Sequence, residues 1–371
     1  MAQPMGLTAA DAEFSEATPE QRQISWKLCG QSWAAPMSMD DYVEREQHMA
    51  EHELNRDGGC RYWVLYLKGY PRQVIASCET TRKPMLISDG NGRPARSGHG
   101  YAVTNVYTNP SYRRQGMAAF LLRRVQEQMD ADSDCSVLFS DSGARYYDGL
   151  GWSAFASRSA TLTVLPSSAS PQQPTSQTRP LDHSNLPRLC ALDELHLTEA
   201  LNSIPPDRKT RVAFLPTHPS ISWHLARAEF DAAKIFSSPP TTTPITIGAI
   251  TATHTAWIYW SHDWRNRLLR VLRIVRASRD GGTADQRVGE FAALLGAAVA
   301  EARRWGLARV VVWNPAEEIK LGCKSVGNAQ PEGVKVVFED RVEGWIPSLR
   351  WNGGRGLEEV AWEQNNGYCW C

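Results

Sequence analysis

A basic turn between a strand and a helix has residue types that suit anion binding. Residues 106–118 read VYTNPSYRRQGMA, so Arg113, Arg114 and Gly116 directly precede or open a helix predicted over 115–129. A helix N-terminus presents unpaired backbone N–H groups at the positive end of the helix dipole, and glycine lets the backbone approach an anion closely. The turn predicts a pyrophosphate cradle, although an ordinary helix start with solvated arginines fits the same residues.

A second motif lies farther along the same half of the chain, where residues 146–152 read YYDGLGW. The R-x-x-G-x-A of 113–118 resembles motif A of the GNAT acetyltransferases. The segment 146–152 resembles the F-Y-x-x-x-G-F signature of that family, with Tyr and Trp replacing the outer Phe residues. The two motifs occur in the order and secondary-structure context of the family, so the first half resembles a GNAT domain.

The resemblance implies acetyl-CoA as cosubstrate and no metal. Main-chain groups of Val106 and Thr108, on a splayed strand, would pair with the pantetheine. Ser140 stands where the family often has an Asn that contacts the cofactor. The pyrophosphate would be bound by the following residues, through backbone amides or added positive charge: Arg113, Arg114, Gln115, Gly116, Met117 and Ala118.

Two side chains are the candidates for proton transfer. The resemblance implies that Tyr147 protonates the departing thiolate, whose acidity resembles that of a Cys thiol, unless Tyr147 only packs in the core. A lysine ε-amine is mostly protonated at pH 7, so its acetylation needs a base. Glu79 is the first candidate because it lies at the end of the strand preceding the cofactor strand. Alternatively, Glu79 is a solvated edge residue or a partner of Arg82.

A narrower resemblance covers most of the chain. The C-E-T of 78–80, S-D-x-G of 140–143, W-H-x-x-R-x-E-F of 223–230 and Y-x-W-C of 368–371 resemble the fungal lysine N6-acetyltransferases. This similarity implies direct acetyl transfer to the ε-amine of free L-lysine in a ternary complex, at the start of lysine degradation. The alternatives are another small amine or a protein lysine as acceptor, or a non-catalytic acetyl-CoA-binding module.

The C-terminal segment 362–371, WEQNNGYCWC, is rich in aromatic residues and is therefore predicted to dock. In the N-myristoyltransferases, another two-part GNAT-related family, the terminal carboxylate serves as base. By that analogy the Cys371 carboxylate is an alternative base to Glu79. The other interpretation is a tail that packs on the second domain for stability alone.

The elements around these residues predict an α/β (α+β) fold, with tandem GNAT-like domains that each form a mixed twisted sheet flanked by helices. Strands are predicted at 61–67, 73–80, 100–108, 136–140, 245–260, 268–277 and 308–313, and helices at 115–129, 143–149 and 289–305. The domains are a flexible N-terminus (1–22), a catalytic domain (23–165), a Pro/Ser-rich linker (166–180) and a domain shaping the acceptor site (181–371). In the domain 181–371, residues 286–291 (Q-x-x-G-x-F) resemble motif A, but Phe291 would crowd a phosphate there. This domain is therefore predicted to bind no cofactor of its own.

Composition limits the remaining possibilities. Forty Lys plus Arg balance forty Asp plus Glu, and no apolar run approaches the ~20 residues of a membrane span, so neither nucleic acid nor a membrane is an expected partner. Eight cysteines without metal spacing indicate reduced thiols and a cytoplasmic protein. His48 and His52 form an H-x-x-E-H that could hold zinc, but without a further ligand it predicts a solvated helix or an acceptor-site wall. The oligomeric state is left open.

Overall fold

Two mixed β-sheets with flanking helices make up the protein, as described by a computed structural model for residues 7–166, 177–236, 246–277, 281–354 and 356–370. The strands are β1 (Ala12–Glu16), β2 (Cys60–Leu67), β3 (Tyr70–Ser88), β4 (Arg96–Thr108), β5 (Cys135–Ser140), β6 (Ser153–Ala154), β7 (Arg158–Val164), β8 (Thr178–Leu181), β9 (Thr210–Phe214), β10 (Gly248–Thr251), β11 (Ala256–Asp263), β12 (Leu268–Arg276), β13 (Arg309–Trp313), β14 (Val334–Asp340), β15 (Ile346–Trp351) and β16 (Val360–Trp362). The helices are α1 (Pro19–Trp33), α2 (Met39–Ala50), α3 (Met117–Met129), α4 (Arg145–Asp148), α5 (Leu186–Asn202), α6 (His218–Ile235), α7 (Ala284–Arg304) and α8 (Glu317–Ala329).

Four of the eight helices described, α1, α2, α6 and α7, begin with a side chain that caps the first turn. Thr18 caps α1 and Thr283 caps α7, each in a reciprocal capping box with a glutamine three residues later. Ser38 caps α2 by accepting from the backbone of Asp41. The N-cap of α3 is Gly116, which has no side chain to cover the first turn. The start of α3 is therefore left open.

The first sheet contains strands from both halves of the chain. Its order is β1-β2-β3-β4-β5-β15-β6, and β9 extends it beside the end of β3, followed by β16. β4 and β5 are parallel, while β15 runs antiparallel to both β5 and β6. Arg350 of β15 also binds Asp130 at the end of α3, with 2.6 Å between Nη2 and Oδ2. A strand from the C-terminal half thus completes the N-terminal sheet.

The second sheet repeats this order, β8-β10-β11-β12-β13-β7-β14. Here β7, from the first half, lies antiparallel between β13 and β14. β7 and β15 therefore occupy equivalent positions, each in the sheet of the other half. The tandem arrangement of two mixed sheets flanked by helices, predicted from the sequence, is confirmed.

Some local features differ from the sequence-based predictions. Flexibility was predicted for 1–22, yet β1 pairs with β2 there and α1 begins at Pro19. Phe14 stacks on Trp63 at 5.4 Å between ring centroids, a long-range contact that explains the order of β1. The predicted linker lies largely at 167–176, outside the described residues, while its last residues enter β8. The predicted boundary of the catalytic domain at residue 165 lies just after β7, although β7 belongs to the second sheet.

The single strand predicted over 245–260 is two strands, β10 and β11, joined by a tight turn. The Thr251 hydroxyl accepts from the backbone N–H groups of Thr255 and Ala256, which turns the chain back. The unpredicted elements lie mainly in the second half: α5, α6, α8, β9, β14, β15 and β16. Within the described residues, no helix combines the length and the apolar character that crossing a membrane requires.

The strand exchange generates a prediction about the isolated halves. Residues 1–165 expressed alone are expected to lack a cooperative thermal transition, because their sheet has no β15 and β7 has no partner strands. Coexpression with residues 166–371 should restore the transition, as measured by circular dichroism. As a control, the intact protein cut within the Pro/Ser-rich segment after folding should still melt as one unit. Cooperative unfolding of the 1–165 fragment alone would contradict the requirement for exchange.

Candidate active site

A cavity of about 470 Å³ lies between the two halves. Its walls come from α2, β3, β4 and the residues after β5 on one side, and from α6, the end of β11 and the start of β12 on the other. Glu79, Val106 and Tyr147 all line it. The structure thus brings the predicted base and the predicted acid to one enclosure.

The loop between β4 and α3 has the backbone geometry of an anion cradle. Arg114 and Gly116 have positive φ values of 62° and 77°. Among the described residues, no acceptor meets the backbone N–H groups of Arg114 to Ala118. A Cβ on Gly116 would meet no atom within 4 Å, so the space beside it is open. These features fit a pyrophosphate bound at a helix N-terminus.

A gap in the first sheet adjoins this cradle. β4 and β5 pair only at Tyr101 with Ser136 and Ala102 with Val137, and the rest of β4 diverges from β5. The register between β3 and β4 shifts at the point where Asn105 has a φ of 50°. The remainder of β4 therefore offers a free strand edge, as the prediction for pantetheine binding requires.

Several predicted cofactor contacts are already engaged within the protein. The Arg113 Nε atom donates to the Thr108 carbonyl at 3.1 Å, which fastens Arg113 to β4. The Ser140 hydroxyl donates to the Gly143 carbonyl at 2.6 Å and accepts from the Ser142 N–H at 3.1 Å. Ser140 thus holds the turn that precedes Tyr147. The roles assigned to these side chains remain predictions.

Glu79 lies in the interior of the first sheet, between β2 and β4. Its Oε1 accepts a hydrogen bond from the Trp26 indole N–H at 3.2 Å. Arg82, the alternative partner, is exposed and lies with its Nη2 2.9 Å from His99 Nδ1. Glu79 is therefore neither a solvated edge residue nor the partner of Arg82.

The surroundings of Glu79 favour its protonated form. Burial, and then the carboxylate of Glu46, raise the pKa of Glu79 to about 7. Hydrogen bonding by Asn105 and the positive charge of Arg227 oppose this shift. Glu46 itself is held by Arg45, with 2.5 Å between Nη2 and Oε1. A carboxyl with a pKa near neutrality can accept a proton at physiological pH.

Tyr147 lies on α4 against the core of the first half. Its ring packs edge-on against Tyr146 at 5.0 Å and Trp152 at 6.5 Å between centroids. Burial, followed by the influence of Tyr146 and Cys78, raises the pKa of Tyr147 well above its ordinary value. The phenol is therefore protonated at neutral pH, as a proton donor must be.

The C-terminal tail docks beside the cavity. Tyr368 and Cys369 are fully buried, and Lys83 Nζ donates to their carbonyl oxygens at 3.1 and 3.2 Å. Trp370 lines the cavity itself. Cys371 lies outside the described residues, so the proposed role of its carboxylate stays a prediction.

The same tail also fills a gap in the second sheet. β12 pairs with β13 only as far as Val271 and then diverges, as β4 does from β5. Beyond that point Arg273 binds Gln364 at 2.8 Å and Asn366 at 3.1 Å. Gly367 packs so closely that a Cβ would lie 2.4 Å from the Val271 carbonyl oxygen. The chain itself occupies the position that corresponds to the pantetheine gap of the first half.

Several cavity residues received no role from the sequence. Arg227 belongs to the segment W-H-x-x-R-x-E-F, which was recognised only as a resemblance, and Trp370 belongs to Y-x-W-C. Arg270 interrupts an apolar strand, LLRVLRIVR, and a charge at a buried strand position is a signal that could have identified it. Asp231 and Trp345 carry no comparable signal.

The H-x-x-E-H segment lies at the end of α2. His48 stacks on Phe230, and His52 accepts from the Leu54 N–H at 3.1 Å. Over the described ranges, no three His, Cys, Asp or Glu side chains converge as metal ligands would. Because Arg45 and Glu46 of α2 line the cavity, this helix forms part of its wall.

Comparisons with known proteins agree with this architecture. Residues 162–371 match the family described as LYC1 GNAT-like C-terminal domain, and residues 25–151 match the acetyltransferase (GNAT) family. A lysine acetyltransferase of Yarrowia lipolytica is 22% identical over 298 residues, which cover 69% of this chain and 74% of that protein. An uncharacterized protein of Saccharomyces cerevisiae is 22% identical over 391 aligned positions, covering 95% of this chain and 96% of its own. A GCN5-related N-acetyltransferase from Kribbella flavida shares the fold, with a TM-score of 0.52 and 13% identity over 92% of this chain and 72% of its own.

The raised pKa of Glu79 predicts a stability effect. Its folded value of about 7 exceeds the ordinary 4.5, so the parent protein loses stability as the pH rises through this window. Glu79→Gln cannot ionise and should raise the free energy of unfolding at pH 8 by on the order of 2 kcal/mol, with little change at pH 4. Denaturant unfolding across this range measures the effect, and the exposed Glu51→Gln is the control. Equal stability of parent and Glu79→Gln at pH 8 would contradict the assignment.

Proposed function

The chain belongs to the GNAT acetyltransferases with a LYC1 GNAT-like C-terminal domain, and we propose that it transfers the acetyl group of acetyl-CoA to the ε-amine of free L-lysine. Family membership makes it an N-acetyltransferase; the choice of lysine and the ternary complex are the proposal. The observation that supports it most is that Glu79 and Tyr147 line one cavity beside an open anion cradle.

The proposed reaction uses two groups on this chain and water for its proton transfers. Glu79 takes a proton from the lysine ε-ammonium, and the neutral amine attacks the thioester carbonyl carbon. The carbon–sulfur bond breaks as the new carbon–nitrogen bond forms, and the Tyr147 phenol gives its proton to the departing thiolate. The nitrogen loses its second proton to water as the amide forms, and water then returns a proton to Tyr147 and removes one from Glu79. The raised pKa values of both residues suit these roles.

The charges in the cavity support an amino acid as acceptor. Glu46, Glu79 and Asp231 supply negative charge, while Arg227 and Arg270 supply positive charge. A free amino acid carries charges of both signs and therefore complements such a mixed lining. The relative named lysine acetyltransferase gives independent support for lysine.

The proposal also includes the cellular location, the source and the metabolic role of the protein. Seven cysteines in the described residues are buried thiols, which supports a reducing, cytoplasmic location. Both curated relatives come from yeasts, which supports a fungal source and a role at the start of lysine degradation.

An acceptor panel tests the substrate. The purified protein is incubated with acetyl-CoA and either L-lysine, a polyamine or a lysine-containing histone-tail peptide, and thiol release is followed. We expect release with L-lysine at a rate well above that with the peptide or the polyamine. Release with the peptide and not with lysine would show that the acceptor assignment is wrong while the acetyltransferase activity stands.

Tyr147→Phe tests the proton donor. The variant should bind acetyl-CoA with the parental Kd, because the cradle on α3 is untouched, while kcat falls by about 100-fold for loss of general acid catalysis. Isothermal titration and steady-state kinetics measure the two quantities. Tyr146→Phe, which changes the neighbouring exposed ring, is the matched control. Parental turnover in Tyr147→Phe would mean that another group or water protonates the thiolate.

A further inference from the structure

Arg270 lies in a box of indole rings at the wall of the active-site cavity. It is on β12 with only 2% of its surface exposed, and it lines the cavity. Its guanidinium carbon lies 4.7 Å from the ring centroid of Trp313, 4.4 Å from that of Trp345 and 4.8 Å from that of Trp370. These rings fix the plane of the guanidinium and keep bulk water away from it.

The hydrogen bonds of Arg270 are incomplete. Nη2 donates to Asp263 Oδ2 at 3.0 Å, but Nη1 is buried without a partner among the described residues. By contrast, Arg273, three residues later, makes two bonds of 2.7 Å to Asp193 and two more to the tail. A buried guanidinium with an unmatched donor is costly, so a second anionic partner would stabilise Arg270.

The neighbouring charges also favour an anion at this position. Arg227 lines the same cavity, 5.7 Å from the ring centroid of Trp370, and forms no ion pair with the described residues. Its positive charge acts on Glu79 and on Arg270, so all three groups influence the same enclosure. Asp263 pairs with Arg270, which Asp141 also influences, while Asp231 interacts with Arg227 but is ion-paired with Arg45. Neither Arg270 Nη1 nor Arg227 therefore has a carboxylate partner among the described residues.

We propose that Arg270 binds the α-carboxylate of the acceptor through its free Nη1, while the acceptor's side-chain amine reaches Glu79. This inference rests on the proposed function and adds to it the residue that selects a free amino acid. A lysine within a peptide has no α-carboxylate and an aliphatic diamine has none either, so both lose this contact. Arg270 is thus a specificity-determining residue.

The test compares L-lysine with 1,5-diaminopentane, which is lysine without its carboxylate, at saturating acetyl-CoA. The parent protein should prefer lysine by ~100-fold or more in kcat/KM, as expected for a buried charge-paired hydrogen bond. In Arg270→Lys the kcat/KM for lysine should fall by a similar factor, mainly through KM, because Lys lacks the planar fork. The value for diaminopentane should change by less than about 3-fold.

Arg341→Lys is the matched control. Arg341 stacks on Trp313 at 4.3 Å, as Arg270 does, but it does not line the cavity. The control should keep the lysine preference of the parent. Loss of the preference in both variants would overturn the inference, because it would assign the effect to the packing of Trp313.

Binding provides a readout independent of turnover. L-norleucine, which has the carboxylate but no side-chain amine, should raise the Tm of the parent and not that of Arg270→Lys, while acetyl-CoA should raise the Tm of both. If Arg270→Lys does not fold, Trp345→Leu, which opens one wall of the box, must lower the lysine preference instead.

The remaining outcomes separate the two proposals. Equal use of lysine and diaminopentane by the parent would overturn the role of Arg270 and leave amine acetylation intact. Acetylation of neither compound, with acetyl-CoA still bound and another amine acetylated, would overturn the choice of lysine and this inference with it.

Discussion

The exchange of β7 and β15 between the two sheets sets the arrangement of the whole protein. Each strand is hydrogen-bonded on both sides by strands of the other half, so the halves cannot separate without breaking the four ladders that these two strands form. The active-site cavity lies between the halves and is lined by residues of both. Its shape therefore depends on a backbone constraint rather than on side-chain contacts at a domain interface, which by default permit relative motion.

Some charged side chains that line the cavity are fully ion-paired within the protein, and others are not. Arg45 bonds to Glu46 and also lies 3.3 Å from Asp231, which joins α2 to α6 across the cavity. Glu79 and Arg270 face the same space with incomplete compensation. Such unbalanced groups are costly to the folded chain, and they are the groups that a substrate bearing complementary charges would satisfy.

The parts of the fold that could be predicted from sequence are those encoded locally. The turn at 113–118 has its glycine, its arginines and its following helix within a few residues, and the structure places them as expected. The charge of Arg270 within an apolar strand was a local signal, but the three rings around it, Trp313, Trp345 and Trp370, come from distant segments that no local pattern connects. The exchange of β7 was equally hidden, because nothing within the seven residues of this strand specifies which of the two sheets it joins.

The position of β15 near the end of the chain affects how the protein is made. During synthesis the first half emerges with its helices and most of its strands, but the strand that belongs between β5 and β6 is translated only after nearly all of the second half. Until then one edge of β5 is unpaired, and β7 has no partner strands because β13 and β14 have not yet been translated. Nascent chains of this protein are thus expected to depend on chaperones, and the acetyl-CoA-binding half becomes complete only when translation is close to its end.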